Sequence, residues 1–238
     1  MTMVALTAQR VLSVWENGQR RHPIDRALLL YALAEPDIPS RRLADAPLGA
    51  RNAALLRWRQ ACFGTRLVAW ADCPACGERL EFVLDPSQWP PASANDTDTI
   101  EIGEHRFQRP TSRHLARLVT FDDEQAAARQ LLCECALAAD ALPRHEPAFS
   151  ELLEAVDAAM DEFDPWADLS LAIHCPACGH DDNARFDIAS YLWEEIDSRA
   201  RHLLDDIHAL AQAYGWTEPA ILALSETRRA AYLARVQS

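Results

Sequence analysis

Cys73-Pro74-Ala75-Cys76-Gly77 and Cys175-Pro176-Ala177-Cys178-Gly179 are the same five residues written twice, roughly a hundred positions apart. Each copy sets two thiols on one tight turn. Pro74 and Pro176 fix φ after the first thiol, and Gly77 and Gly179 accept the positive φ that turns backbone N–H groups toward sulfur. Two such turns supply the four soft ligands of a closed tetrahedral zinc site. With Zn–S near 2.3 Å the four sulfurs must come within about 4 Å of one another, so the expectation is that Cys73, Cys76, Cys175 and Cys178 meet around one structural zinc ion. The competing readings are two disulfides or four unrelated thiols. Cys62, Cys133 and Cys135 bring the total to seven, and the first residues carry no secretory pattern. An odd count without such a pattern suits a reducing compartment, which is the basis for expecting a cytoplasmic protein.

Each knuckle is flanked by strand-like runs. Arg66 to Ala71 precedes the first, and Arg79 to Leu84 follows it with Leu80, Phe82 and Leu84 alternating against polar neighbours. Asp168 to His174 and Asn183 to Ile188 frame the second. The pair resembles a zinc ribbon cut in two, a likeness confined to residues 66–85 and 168–188 and specific for metal rather than for an activity. The expected fold is α+β, mostly helical, organised as an N-terminal helical segment (1–65), the first half-ribbon (66–85), an insertion (86–167), the second half-ribbon (168–188) and a C-terminal helical segment (189–238).

The N-terminal segment reads as helices over Val4–Trp15, Ile24–Leu33 and Ala50–Cys62, with a Pro-bearing connector at 35–46. Cys62 is expected as a small core residue. In the insertion, 86–97 reads as an exposed linker. Thr99–Ile102 and His105–Phe107 form a hairpin, and helices cover Pro110–Leu118, Asp123–Ala138 and Glu146–Met160. Cys133 and Cys135 lie two apart on different faces of their helix and make no metal pair. After Asp187 a helix of about 27 residues reaches Tyr214 and stops at Gly215. Leu192, Ile196, Ala200, Leu203, Ile207, Leu210 and Tyr214 form its apolar stripe, packed on the chain's own core or on a partner helix. Thr217 and Ser225 cap two short final helices.

The net charge is −13 and every basic side chain is arginine. Residues 1–70 hold ten Arg against five acids, whereas residues 71–238 hold thirteen against thirty-one. An acidic body disfavours the phosphate backbone as a partner, and the basic N-terminal part is expected to dock on that body, with an acidic partner as the alternative. No apolar run approaches the ~20 residues that cross a bilayer. The chain carries no zincin helix, phosphate loop or nucleophile elbow. Four thiolates would saturate zinc, so no enzyme and no catalytic residue is expected. His174 and His180 flank the second knuckle as alternative ligands.

The stretch Ile207-His208-Ala209-Leu210-Ala211, Tyr214-Gly215-Trp216-Thr217-Glu218, Ile221-Leu222-Ala223-Leu224-Ser225, Arg228-Arg229 and Tyr232-Leu233 resembles the ending of T4-type bacteriophage baseplate proteins and of related proteins in phage-tail-like contractile injection systems. The two knuckles, Phe186-Asp187-Ile188 and Leu192-Trp193 are similar to the same family. The likeness is good over 171–238, loose over 28–84 and weakest in the insertion. It implies a baseplate hub component or an assembly chaperone, with baseplate, hub, spike or tube proteins as partners. The alternative is a zinc-ribbon protein acting on nucleic acid or in transcription.

Overall fold

A computed structural model describes residues 4–84, 89–90 and 97–236. The fold is α+β and mostly helical. It starts with α1 (Ala8–Gly18), α2 (Pro23–Ala34), the single turn α3 (Ser40–Leu43) and α4 (Leu48–Phe63). The first hairpin is β1 (Leu67–Asp72) with β2 (Arg79–Leu84), and a second is β3 (Thr99–Ile102) with β4 (His105–Gln108). Helices α5 (Ser112–Leu118), α6 (Glu124–Cys135) and α7 (Ala148–Phe163) follow. The third hairpin, β5 (Ser170–His174) with β6 (Asp181–Arg185), leads into α8 (Ile188–Tyr214), α9 (Glu218–Leu222) and α10 (Glu226–Val236). Each hairpin is its own two-stranded antiparallel sheet.

The main core is built on α8, whose apolar stripe packs against α1, α2 and α4. Leu192, Ile196, Ala200 and Leu203 are buried there with Val11, Leu30, Leu55 and Trp58. The near-heptad stripe is therefore an internal seam, covered by the N-terminal helices. Polar contacts fix the crossing: the Trp15 indole donates to Asp197 Oδ1 at 2.6 Å, and the Arg26 guanidinium lies over the Trp193 ring. Gly18 sits against that ring so closely that a β-carbon would fall 2.3 Å from it.

Arg59 joins three elements. Its guanidinium donates to both oxygens of Glu195 on α8, at 2.9 and 2.5 Å. It also donates to the carbonyls of Gly64 and Arg66, each at 2.8 Å. The basic N-terminal part thus docks on the acidic body mainly through apolar packing, with this pair at the point where the first hairpin leaves. Leu67 and Leu84, opposite each other in the register, root that hairpin in the main core.

The insertion has a smaller core of its own. Phe107, Leu132, Cys135, Leu142, Phe149 and Val156 are buried together, with Leu152, Leu153 and Met160 against them. It holds the body by satisfying the open end of α4. Pro47 gives that helix no side-chain cap; instead Leu48 N–H donates to Pro110 O at 2.9 Å and Gly49 N–H to Asp164 Oδ2 at 3.1 Å. A carboxylate at a helix N-terminus is electrostatically favourable, although burial raises the Asp164 pKa. Arg51 donates to Ser112 Oγ at 2.8 Å, and Asn52 donates to the carbonyls of Trp166 and Ala167.

Several boundaries differ from the sequence reading, each for a local reason. Helix α1 starts at Ala8 rather than Val4 because the Thr7 hydroxyl accepts the Arg10 N–H, while Val4 lies ahead of the helix and offers its carbonyl to the Trp58 indole. Helix α5 starts at Ser112 rather than Pro110, closed by a capping box between Thr111 and His114. Helix α6 stops at Cys135, since Ala136 bridges to Phe107 and Leu137 N–H bonds Arg106 O. Strand β6 spans Asp181–Arg185 instead of Asn183–Ile188, because Asp187 caps α8 by accepting from Ala189 and Ser190 N–H. Thr217 precedes α9 without a side-chain bond. The expected linker at 86–97 lies mostly outside the described residues, but Trp89 is half-buried and stacked on Trp166.

Two substitutions test this packing. Gly18→Ala overpacks the α1–α8 crossing and is expected to lower stability by about 1–3 kcal/mol. Arg59→Ala strands Glu195 and two carbonyls and is expected to cost about 3–5 kcal/mol. Both are read from urea unfolding followed by circular dichroism, and an unchanged midpoint in either variant contradicts the packing described.

Candidate metal centre

The two Cys-Pro-Ala-Cys-Gly turns take the same shape. In the first, Cys73 N–H donates to Glu78 O at 2.9 Å and Gly77 N–H to Cys73 O at 2.8 Å. In the second, Cys175 N–H donates to His180 O at 2.9 Å and Gly179 N–H to Cys175 O at 2.8 Å. Gly77 and Gly179 both have φ of +74°, a value that puts strain on any residue with a β-carbon. The repeated pentapeptide is thus a repeated backbone, and each copy is the tip of a hairpin whose last strand pairs are Asp72 with Arg79 and His174 with Asp181.

The hairpins bring the tips together. The ligand atoms of Cys73, Cys76, Cys175 and Cys178 all lie within 4.8 Å of one another. Across the tips, Cys73 Sγ is 3.7 Å from Cys178 Sγ and Cys76 Sγ is 3.6 Å from Cys175 Sγ. Sulfurs bound at about 2.3 Å around a tetrahedral centre stand roughly 3.8 Å apart, so the cluster has the dimensions of a four-thiolate metal site. All four thiols are free, and a disulfide bond needs sulfurs near 2.05 Å. The four cysteines lie close enough to hold a metal ion, and among the described residues no other group of three or more His, Cys, Asp or Glu does so.

The cluster is inside out by halves. Cys73 and Cys175, the first thiol of each turn, are buried, and Cys76 and Cys178 are exposed. Leu80 and Ile173 close the inner side, with Ala71, Phe82 and Ala184 around them. This apolar floor is laid by one face of each hairpin, so strand alternation aims the ligands.

Without a cation the four thiols oppose one another. Burial resists ionisation of Cys175, but hydrogen bonds from the backbone at Cys178 and Ala177 and from the Cys178 and Cys76 thiols prevail, bringing its pKa down to about 7. Cys76 is favoured as thiolate by the backbone at Glu78, yet the sulfurs of Cys178, Cys175 and Cys73 and burial together push it up to about 12. Ionisation is thus favoured at Cys175 and resisted at Cys76. A dication at the centre reverses that resistance, because metal-bound thiols are deprotonated outright.

The neighbouring histidines are engaged elsewhere. His174 Nδ1 is 2.8 Å from Asp181 Oδ1 across its hairpin, in the place where the first hairpin pairs Asp72 with Arg79 at 3.2 Å. His180 takes part through its backbone carbonyl, and neither imidazole joins the sulfur cluster. Of the other cysteines, Cys62 packs against the main core. Cys133 lies against the insertion core, and Cys135 is buried with its sulfur 3.7 Å from His114 Nδ1. Burial pushes the Cys135 thiol up to about 12 and lowers the His114 pKa, which leaves that pair neutral. Among the described residues no helix is long and apolar enough to cross a membrane. The chain matches no protein-family model, and no curated protein or solved structure matches it.

Substituting either buried ligand, Cys73→Ser or Cys175→Ser, is expected to abolish stoichiometric metal binding and lower the thermal midpoint by more than 10 °C. At about 2–4 °C per kcal/mol for a chain of this size, that shift corresponds to several kcal/mol. Metal analysis of the purified protein and calorimetry check this, and a variant that keeps one tightly held ion per chain contradicts the ligand set.

Proposed function

We propose that the chain is a non-enzymatic structural or assembly protein, a baseplate hub component or assembly chaperone of a phage tail or contractile injection system, stabilised by a structural zinc ion. The observation that carries this reading is the closed cluster of four sulfurs, Cys73, Cys76, Cys175 and Cys178. Soft thiolate donors in tetrahedral array suit zinc. Four of them fill its coordination sphere and leave no position for an activated water, which supports a structural role over a catalytic one.

The choice of machine rests on the sequence resemblance of residues 171–238. Those residues form the second ribbon half, α8 and a C-terminal corner where Tyr214, Trp216 and Tyr232 pack with ring centroids 4.8 to 5.8 Å apart. Tyr214 is exposed, and aromatic surface of this kind is enriched where protein partners meet. Partners are then other baseplate, hub, spike or tube proteins, met in the cytoplasm where such particles assemble. The nucleic-acid alternative stands behind it. The ribbon halves expose Asp72, Glu81, Asp181 and Asp182 beside Arg79 and Arg185, an acidic balance that repels phosphate.

A pull-down of tagged protein from its native host, with metal measured on the same eluate, tests the reading. The expected result is one zinc per chain and co-purified hub, spike or tube subunits. Recovery of zinc-loaded protein with nucleic acid in a salt-sensitive complex, and without any tail component, overturns it.

A further inference from the structure

The first hairpin turns one face to the core and the other to an open groove. Register places Val68 opposite Val83, Trp70 opposite Glu81 and Asp72 opposite Arg79, and these residues form the outer face. Trp70 is 52% exposed, a large apolar surface for a free hairpin. Across from it, starting at the cap Asp187, runs a second stripe of α8 that includes Tyr191, Glu194, Ser198, His202 and Asp206. Its spacing of three and four residues makes it a continuous helical face, distinct from the stripe buried in the core. Glu226 and Arg229 of α10 close the far end, and the groove encloses about 890 Å³. Asp206 stands nineteen positions beyond Asp187, a length of about 28 Å at helical rise. That length takes roughly eight residues of extended chain.

The charges in the groove are unevenly committed. Arg229 is paired with Asp206 at 3.0 Å and Arg199 with Glu226 at 3.0 Å. Arg79 is paired with Asp72 and lies over the Trp70 ring at 4.8 Å. Glu195 is held by Arg59, and Asp187 is used as the cap of α8. Glu81 and Glu194 are exposed and enter no ion pair among the described residues. The groove therefore offers the exposed part of the Trp70 ring left by Arg79, together with uncompensated negative charge.

We infer that this groove is the docking site for a basic segment of another protein, one that places arginine or lysine side chains against Glu81 and Glu194 and an apolar side chain against Trp70. Charge complementarity selects the occupant: an acidic segment would meet two unpaired carboxylates, while a basic one neutralises them. The inference rests on the assembly reading only in that both require a protein partner. It concerns a surface separate from the sulfur cluster.

Random octapeptides displayed on phage and selected on the metal-loaded full chain provide the test, followed by fluorescence anisotropy of the selected peptides in synthetic form. The expected outcome is enrichment of Arg and Lys over Asp and Glu. Binding should weaken about tenfold or more in the double variant Glu81→Arg, Glu194→Arg and in Trp70→Ala, with metal content and circular dichroism unchanged. Selection of acidic or uncharged peptides, failure to select any, or binding indifferent to both variants overturns the inference. Self-association of the chain abolished by the same charge reversal places a second copy in the groove and overturns it as well. Failure here with co-purified tail subunits still present would remove the groove and leave the assembly reading standing.

Discussion

Closure of two cysteine turns far apart in sequence is the constraint around which the rest of the chain is arranged. Holding ends roughly a hundred residues apart at contact costs on the order of 5 kcal/mol of loop entropy. The floor of the cluster is small, being made of Leu80, Ile173 and their neighbours, and the second hairpin brings few apolar residues to it. The Cys76 thiol also resists ionisation beside its neighbouring sulfurs. A structural zinc ion, as proposed, contributes about 10–16 kcal/mol in apparent terms, which exceeds the closure cost. Apolar packing of the tips rests on that small floor alone.

Closure is reinforced at a second place. The insertion returns to the body at the N-terminus of α4, where Pro110 and Asp164 take the N–H groups that Pro47 leaves without a cap. The two hairpins are unequal partners in this arrangement. The first is anchored in the main core by Leu67 and Leu84 and by the Arg59 hub. The second exposes most of β6 and leans on the main core through the partly buried Leu171 and Phe186, between the cysteine turn at one end and the Asp187 cap at the other.

What was legible in the sequence was what is local or repeated. The knuckles announced themselves because ligand chemistry and turn chemistry coincide in five residues. The bounds of α8 followed from Asp187, Gly215 and a stripe of seven apolar positions. What was not legible depended on partners distant in sequence. Nothing near Asp164 marks it as the cap of a helix 115 residues earlier, and nothing near Arg51 points to Ser112. The start of strand β6 leaves no mark in the sequence, because Asp181, Asp182 and Asn183 have no strand character until the knuckle brings them opposite β5. The residues of the groove escaped notice for a different reason. Glu81, Glu194 and Trp70 are ordinary surface positions until the hairpin and α8 face each other.

Helix α8 has a mechanical consequence. Its 27 residues make a rod of about 40 Å, and the main core holds it from Ile188 through Ile207. The last seven residues run about 10 Å farther and carry α9 and α10, which return to the body through Leu222 and are pinned to the rod by Arg199–Glu226 and Arg229–Asp206. The C-terminal corner is therefore held on the body by Leu222 and the two ion pairs rather than trailing as a tethered tail. A force applied to Tyr214 or Trp216 is delivered through the rod to the core that holds it, and the direction in which the corner points is set by that body.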